Sequence, residues 1–216
     1  SVIPNENSFR TVNFNVTVQD PNGVNDIDSN SVSANVTRGG EAIREDINCA
    51  EIGGQSTINS KNFTCFVDLW YFDDNGLWTI TARAKDFGNT TYQQDTDSFS
   101  YELLSAIQVS GESTILFDDL IPEAQSVNSS NDPTLINNTG NADTSLSLRA
   151  INLYASPEAP DQTAFIDAGN FSALDTDNCL SAIPLQNNSD VAIDNTNLRG
   201  NNSAGFGQTQ FYYCIP

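Results

Sequence analysis

Apolar residues take every second position over much of this chain. In Thr11–Gln19 they fall at Val12, Phe14, Val16 and Val18, with polar residues between them. A two-residue period is that of a strand with one buried face. Ser31–Thr37 repeats it with Val32, Ala34 and Val36. Leu77–Lys85 sets Trp78, Ile80, Ala82 and Ala84 against Thr79, Thr81, Arg83 and Lys85. Ala42–Asn48 reads as a weaker strand and Ser98–Leu104 as a closing one. Turn sequences separate them: Asp20-Pro21-Asn22-Gly23, Arg38-Gly39-Gly40, Asp73-Asp74-Asn75-Gly76 and Asp86-Phe87-Gly88-Asn89. Phe63–Phe72 is apolar in both phases. That predicts one face under a partner sheet and the other under a neighbouring domain or subunit. Short strands with regularly spaced turns predict an immunoglobulin-like sandwich.

The pattern starts afresh near Ser105, and no linker composition marks the joint. Apolar segments then recur at Ile107 and Val109, Ile115–Phe117, Thr134–Ile136, Ser145–Tyr154, Ala164–Ile166, Ala182–Leu185, Val191–Ile193 and Gln210–Ile215. A turn is expected at Asn137–Asn141. The predicted fold is all-β: two tandem immunoglobulin-like antiparallel β-sandwiches, residues 1–105 and 106–216.

Composition narrows the function. The 216 residues carry 28 Asp and Glu, 8 Lys and Arg and no His, a formal charge of −20. Such a surface repels nucleic acid and anionic lipid. Without histidine, Ser-His-Asp, Cys-His and His-ligated zinc chemistry are absent. No apolar run nears the ~18 residues of a membrane span. Six basic against 15 acidic residues up to Ser105, and 2 against 13 beyond it, spread the charge evenly. It reads as a solvated skin. The 27 Asn, 22 Ser and 18 Thr favour turns and strands over helices. There is no Met, even at position 1, so a processed mature protein or an excised part of one is expected, its signal peptide removed.

Cys49, Cys65, Cys179 and Cys214 form no C-x-x-C pair and fall two in each half. The simplest pairing is Cys49–Cys65 and Cys179–Cys214, which implies an extracytoplasmic compartment. N-x-S/T acceptors occur at Asn15, Asn35, Asn62, Asn89, Asn128, Asn137, Asn170, Asn187 and Asn201. Chance alone gives about five for this composition. Placement says more than number: Asn15 and Asn35 take the polar phase of their strands and are expected to point to solvent. N-linked glycans are expected at several of the nine.

Three groups could carry chemistry. Asp20, Asn22, Asp26 and Asp28 place oxygens around a glycine turn, which suits a hard cation such as calcium, although Ser31 stands where an EF-hand loop needs Glu. If the strands alternate up and down, Asp86, and with it Asp95, lies at the same end. The bland alternative is an Asx-rich turn that satisfies its own backbone. The acidic pairs Asp73/Asp74, Asp118/Asp119 and Asp175/Asp177 are read as solvated surface charge rather than a glycosidase pair. Trp78 is read as core. Trp70 is open between core and a sugar-stacking surface.

The runs "VNFNVTVQDPNG", "CFVDLWYFDDNGLWTITARAKDFGN" and "FSYELL" resemble the immunoglobulin-like repeats of archaeal cell-surface proteins. "STILFDDLIPEAQSV" and "PTLINNTGNADTSLSLRAINL" resemble the strand–spacer–"NTGN"–strand pattern of abnormal-spindle/hydin-type sandwiches. Asp118 replaces an expected Gly there, and the resemblance ends near Leu153. It implies an extracellular structural or adhesive role. The leading expectation is a subunit of a surface filament (pilus- or thread-like) or sheath. It is assembled from copies of itself, with a strand donated by Thr11–Gln19 through Val12, Phe14, Val16 and Val18. The rival is a calcium-dependent adhesin or carbohydrate-binding module of a larger surface protein, with surface glycans or partner cells as its targets. No catalytic residue is expected and no cofactor is required.

Overall fold

The computed structural model describes residues 1–111, 114–118, 120–121, 125–154, 165–198 and 207–215. They are strands and turns, with three short 3-10 segments and no α-helix among them. No helix of the described residues is long and apolar enough to cross a membrane. The chain divides into two compact units: Ser1–Leu104 with Gly140–Ala142, and Ser105–Thr139 with Asp143–Pro216.

The first unit holds β1 (Phe9–Gln19), β2 (Ser33–Thr37), β3 (Arg44–Asp46), β4 (Ala50–Glu51), β5 (Ser60–Trp70), β6 (Gly76–Ala84) and β7 (Gln93–Tyr101). They form two antiparallel sheets, β1-β5-β4 and β3-β2-β6-β7. The expected Ala42–Asn48 strand shortens to Arg44–Asp46, and the closing strand starts earlier, at Gln93. The alternation seen in sequence sets what is buried. Val12, Val67 and Leu69 from one sheet meet Val36, Trp78, Ile80 and Tyr101 from the other in one apolar cluster. A second cluster gathers Val32, Ala34, Phe63 and Ala84 around the Cys49–Cys65 disulfide. Closing a loop of this length stabilises by about 3 kcal/mol.

Three features of this unit bear on the sequence readings. The outer face of Phe63–Phe72, expected to lie under a neighbouring domain or subunit, carries exposed side chains in the single chain: Phe66 is 50% exposed and Asp68 is also exposed. Asp73, read as surface charge, is completely buried. It is held by Arg44 Nη2 at 2.5 Å and Nε at 3.2 Å, and it accepts the Trp70 N–H at 2.7 Å. Its neighbour Asp74 is only half-buried, with Arg38 at 4.0 Å. The third concerns Asn141, in the "NTGN" run of the second half, which groups with the first unit. Its side chain accepts the Leu104 N–H and donates to the carbonyls of Asp73 and Glu102.

The second unit holds β8 (Ile107–Ser110), β9 (Val127–Asn128), β10 (Thr134–Asn138), β11 (Thr144–Arg149), β12 (Leu153–Tyr154), β13 (Phe165–Ile166), β14 (Ser172–Leu174), β15 (Ile183–Pro184), β16 (Asp190–Leu198) and β17 (Gln208–Ile215). One sheet runs β15-β14-β17-β10-β8, with β9 also paired to β17; β11 pairs β16, and β12 pairs β13. Ile115–Phe117, expected as a strand, is not one, and Ser145–Tyr154 is split between β11 and β12. Asn138, expected in a turn, ends β10. The core takes Ile136, Ala173 and Phe211 from the larger sheet and Leu146, Val191, Ile193 and Leu198 from the β11–β16 pair. Cys179 is bonded to Cys214. An exposed Arg149–Asp190 pair, bidentate at 2.7 Å, clips β11 to β16.

Replacing Asp73 by Ala strands the Arg44 guanidinium and leaves the Trp70 N–H without its acceptor. The expected loss is about 3–5 kcal/mol. Asp74→Ala removes a partly exposed charge that faces Arg38 at 4.0 Å and is expected to cost clearly less, since solvent screens that ion pair. Urea denaturation followed by tryptophan fluorescence separates the two; equal losses would contradict the assignment.

Candidate functional site

The turn after β1 is built around Asp20. Its Oδ1 accepts the Asn22 N–H at 2.7 Å and its carbonyl accepts the Gly23 N–H at 3.1 Å. Gly23 adopts φ +113°, a conformation that suits glycine. The loop then folds back on the segment after β6. Ile27, 1% exposed, pairs with Asp86 as an isolated bridge. The Phe87 N–H reaches the Asp26 carbonyl at 2.8 Å, and the Asp28 N–H reaches the Lys85 carbonyl at 3.0 Å. The buried isoleucine thus pins two acidic loops together.

As a result Asp20, Asp26 and Asp86 each bring a carboxylate oxygen within 4.8 Å of the other two. Asp20 is 5% exposed, and its buried Oδ2 takes no hydrogen bond from an N–H or hydroxyl group. Burial, then the charges of Asp20 and Asp26, then a hydrogen bond with Asp20 hold the Asp86 carboxyl above its ordinary value. Two expected members take other roles. Asp28 caps the short helical turn by accepting the Asn30 N–H, and it faces Lys85 at 4.0 Å. Asp95 lies on β7, exposed, opposite Ala82. Asn22 is exposed and contributes its N–H to Asp20. A second acidic group, Asp46 beside Cys49 and Cys65, offers no site: both sulfurs are in the disulfide and Asp46 accepts the Phe66 N–H.

In the second unit an open apolar cleft of about 910 Å³ is bounded by Ile115, Phe117, Ile151, Leu153, Phe171 and Tyr213, among others. Ile151 is 65% exposed and Leu153 51%. No strand pattern in the sequence announces this surface. Alternation gives which residues face inward, not whether a second sheet is wide enough to cover them.

An aromatic group stands at the end of the β1–β5 pair. Trp70 stacks on Phe72 with centroids 5.8 Å apart, and Phe9 meets Trp70 edge-on at 5.5 Å. Trp78, in contrast, is fully buried, its Nε1 donating to the Asp74 carbonyl.

The glycan acceptors divide by environment. Asn15, Asn89, Asn128, Asn170 and Asn187 are exposed; Asn35, Asn62 and Asn137 are half-buried. Asn35 stands on the outer phase of β2 as expected, but its Oδ1 is buried without a partner, as is that of Asn137. Two acceptors interlock across β1 and β5: Thr64 Oγ1 donates to Asn15 Oδ1, and Thr17 Oγ1 donates to Asn62 Oδ1. Asn128 donates to Asp177 and lies against the Cys179–Cys214 bridge. Asp118 and Asp175 are exposed, whereas Asn201 and Asp119 lie outside the described residues.

No family model matches the chain, and neither the curated proteins nor the solved structures contain a match.

Glycopeptide mass spectrometry of the natively produced protein is expected to find glycans at Asn15, Asn89, Asn170 and Asn187. Occupancy is expected to be lowest at Asn35 and Asn137. Full occupancy of those two, with Asn15, Asn89, Asn170 and Asn187 bare, would contradict this ordering.

Proposed function

We propose that the chain is a structural subunit of an extracellular surface filament, pilus- or thread-like, or of a sheath. In this reading both units are immunoglobulin-like sandwiches, and copies join by strand donation. The apolar cleft of the second unit carries the proposal. Its larger sheet has five strands in line, whereas β11 and β16 form only a pair among the described residues. Apolar side chains gathered in one concave opening make the cleft the candidate binding surface of this unit. A strand suits it better than a small apolar molecule, because its main chain can also add to the short β12–β13 ladder, whose Leu153 and Ile166 line the cleft.

The donor in this reading is β1 of another copy. In the lone chain it pairs with β5 along its whole length, Phe9 opposite Trp70 to Gln19 opposite Ser60. It is nevertheless an edge strand, with a partner on one side only. Phe14, Val16 and Val18 are half-buried rather than buried. Leaving β5 gives up the β1–β5 main-chain bonds and the packing of Val12, Phe14, Val16 and Val18, so the new pairing and the cleft must replace both. Two disulfides, the acidic surface and the many glycan acceptors suit exposure outside the cell.

The aromatic group of Phe9, Trp70 and Phe72 favours a second reading, a carbohydrate-binding module or adhesin. Stacked rings at a surface are a platform for the apolar face of a sugar.

A labelled peptide of residues 9–19, titrated into the full chain, tests the first reading. Saturable binding is expected, with suppression of chain polymerisation seen by light scattering and electron microscopy. Leu153→Asp and Ile151→Asp, at exposed positions, are expected to weaken that binding at least tenfold. A monodisperse monomer at all concentrations, with no peptide binding, would overturn it. Glycan binding lost in Trp70→Ala would favour the second reading.

A further inference from the structure

We propose that Asp20, Asp26 and Asp86 bind a single calcium ion. The inference stands on the first unit alone, independently of the assembly reading.

Three observations carry it. The first is convergence. Asp20 closes β1, Asp26 sits in the following loop and Asp86 follows β6, yet their carboxylate oxygens lie within 4.8 Å of one another. The buried Ile27 and the main-chain bonds between residues 26–28 and 85–87 impose this approach. Like charges this close repel unless something positive stands among them.

The second is the state of Asp20. It is 5% exposed, its Oδ2 takes no hydrogen bond from an N–H or hydroxyl group, and its contact with the Asp86 carboxyl is one between two acids. A buried carboxylate oxygen left without a donor is costly, and a coordinated cation removes that cost.

The third is the placement of the basic residues. All six in this unit are engaged elsewhere: Arg44 with Asp73, Arg38 with Asp74, Lys61 with Glu51 and Lys85 with Asp28. Arg10 donates to Asn5, and Arg83 donates to Ser33. The ion pair that neutralises the other fully buried acid of this unit, Asp73, therefore has no counterpart at Asp20.

Calcium fits this donor set better than the alternatives. All three ligands are hard oxygens, which excludes soft, thiolate-seeking metals. Loop-borne carboxylates accommodate the irregular 6–8 oxygen shell of calcium, whereas magnesium demands a near-ideal octahedron and keeps most of its water. Three protein carboxylates leave room for main-chain oxygens and water, which places the affinity near the weak range of extracellular modules, Kd about 10⁻⁴–10⁻³ M.

The test uses the full chain and calcium chloride. Calorimetry is expected to give one ion per chain. Thermal melting in 10 mM calcium is expected to run at least about 5 °C above melting in EDTA. Asp86→Asn supplies the decisive comparison. It removes one ligand charge but also relieves the repulsion, so its calcium-free Tm is expected to equal or exceed that of the parent, while the calcium increment disappears. Asp20→Asn is expected to act in the same direction. The exposed control Asp95→Asn is expected to keep the full increment. The proposal is overturned if calcium leaves the parent Tm unchanged, if Asp86→Asn retains the increment, or if sodium chloride at matched ionic strength reproduces it.

Discussion

The first unit turns on one buried ion pair, Asp73 with Arg44. Asp73 sits at the β5–β6 turn with no solvent contact, and a carboxylate in that position is tolerated only with a close counter-charge and filled lone pairs. Arg44 supplies the first from β3, a strand of the other sheet, and the Trp70 N–H helps supply the second. The same turn satisfies the polar tips of the two largest buried aromatics. Trp78 donates to the Asp74 carbonyl and Tyr101 to the Trp70 carbonyl. Burial, followed by the Asp73 charge, holds the Tyr101 phenol far above its ordinary pKa, so it stays a donor. Residues 70–74 are thus the polar hub around which the apolar core closes.

That hub accounts for features that look unrelated. Trp70 is committed through its backbone to both Asp73 and Tyr101, which leaves its ring at the surface beside Phe9 and Phe72. Arg44, drawn onto Asp73, makes β3 useful although it is only three residues long. The Arg38 guanidinium meets the rim of the same turn, with Gly76 at φ +118° approaching it closely enough that a Cβ there would lie 2.7 Å from Nη1. A side chain at 76 would have to displace that guanidinium.

Much of this was legible in the residues, and the limits have physical causes. Period-two alternation located β1, β2 and β6, because burial on one face is a local property of a strand, and a run apolar in both phases located β5. The even split of four cysteines and the turn dipeptides are local as well. Asp73 and Asp74 look identical in sequence; what separates them is Arg44, 29 positions upstream and fixed only by sheet pairing. Asp28 looked like a ligand by spacing and is instead a cap facing Lys85. Asn141 sits in a run that resembles a second-half motif, yet its hydrogen bonds are to Leu104, Asp73 and Glu102, which no local pattern reveals.

Both units leave large apolar residues open, Ile58 and Leu77 in the first and Ile151 and Leu180 in the second, but in the second several of them line one cleft. In the first, two sheets of three and four strands enclose Trp78, Phe63 and Tyr101 with essentially no exposure. In the second, the β11–β16 pair buries Leu146, Val191 and Leu198 but leaves Ile151 and Leu153 open beside the cleft. What sets this surface apart is not exposure, which Ile58 and Leu77 of the first unit share, but the gathering of Ile115, Phe117, Ile151 and Leu153 around one opening. Asn170 sharpens the point. It lines the cleft, is exposed and is a glycan acceptor, so polar bulk and apolar floor meet at one residue. A glycan there would shield the opening from indiscriminate association, while an extended strand, only one residue wide, would still find an edge to pair with. If copies associate as proposed, selectivity would come from that combination of an apolar floor and a polar rim that rejects broad partners.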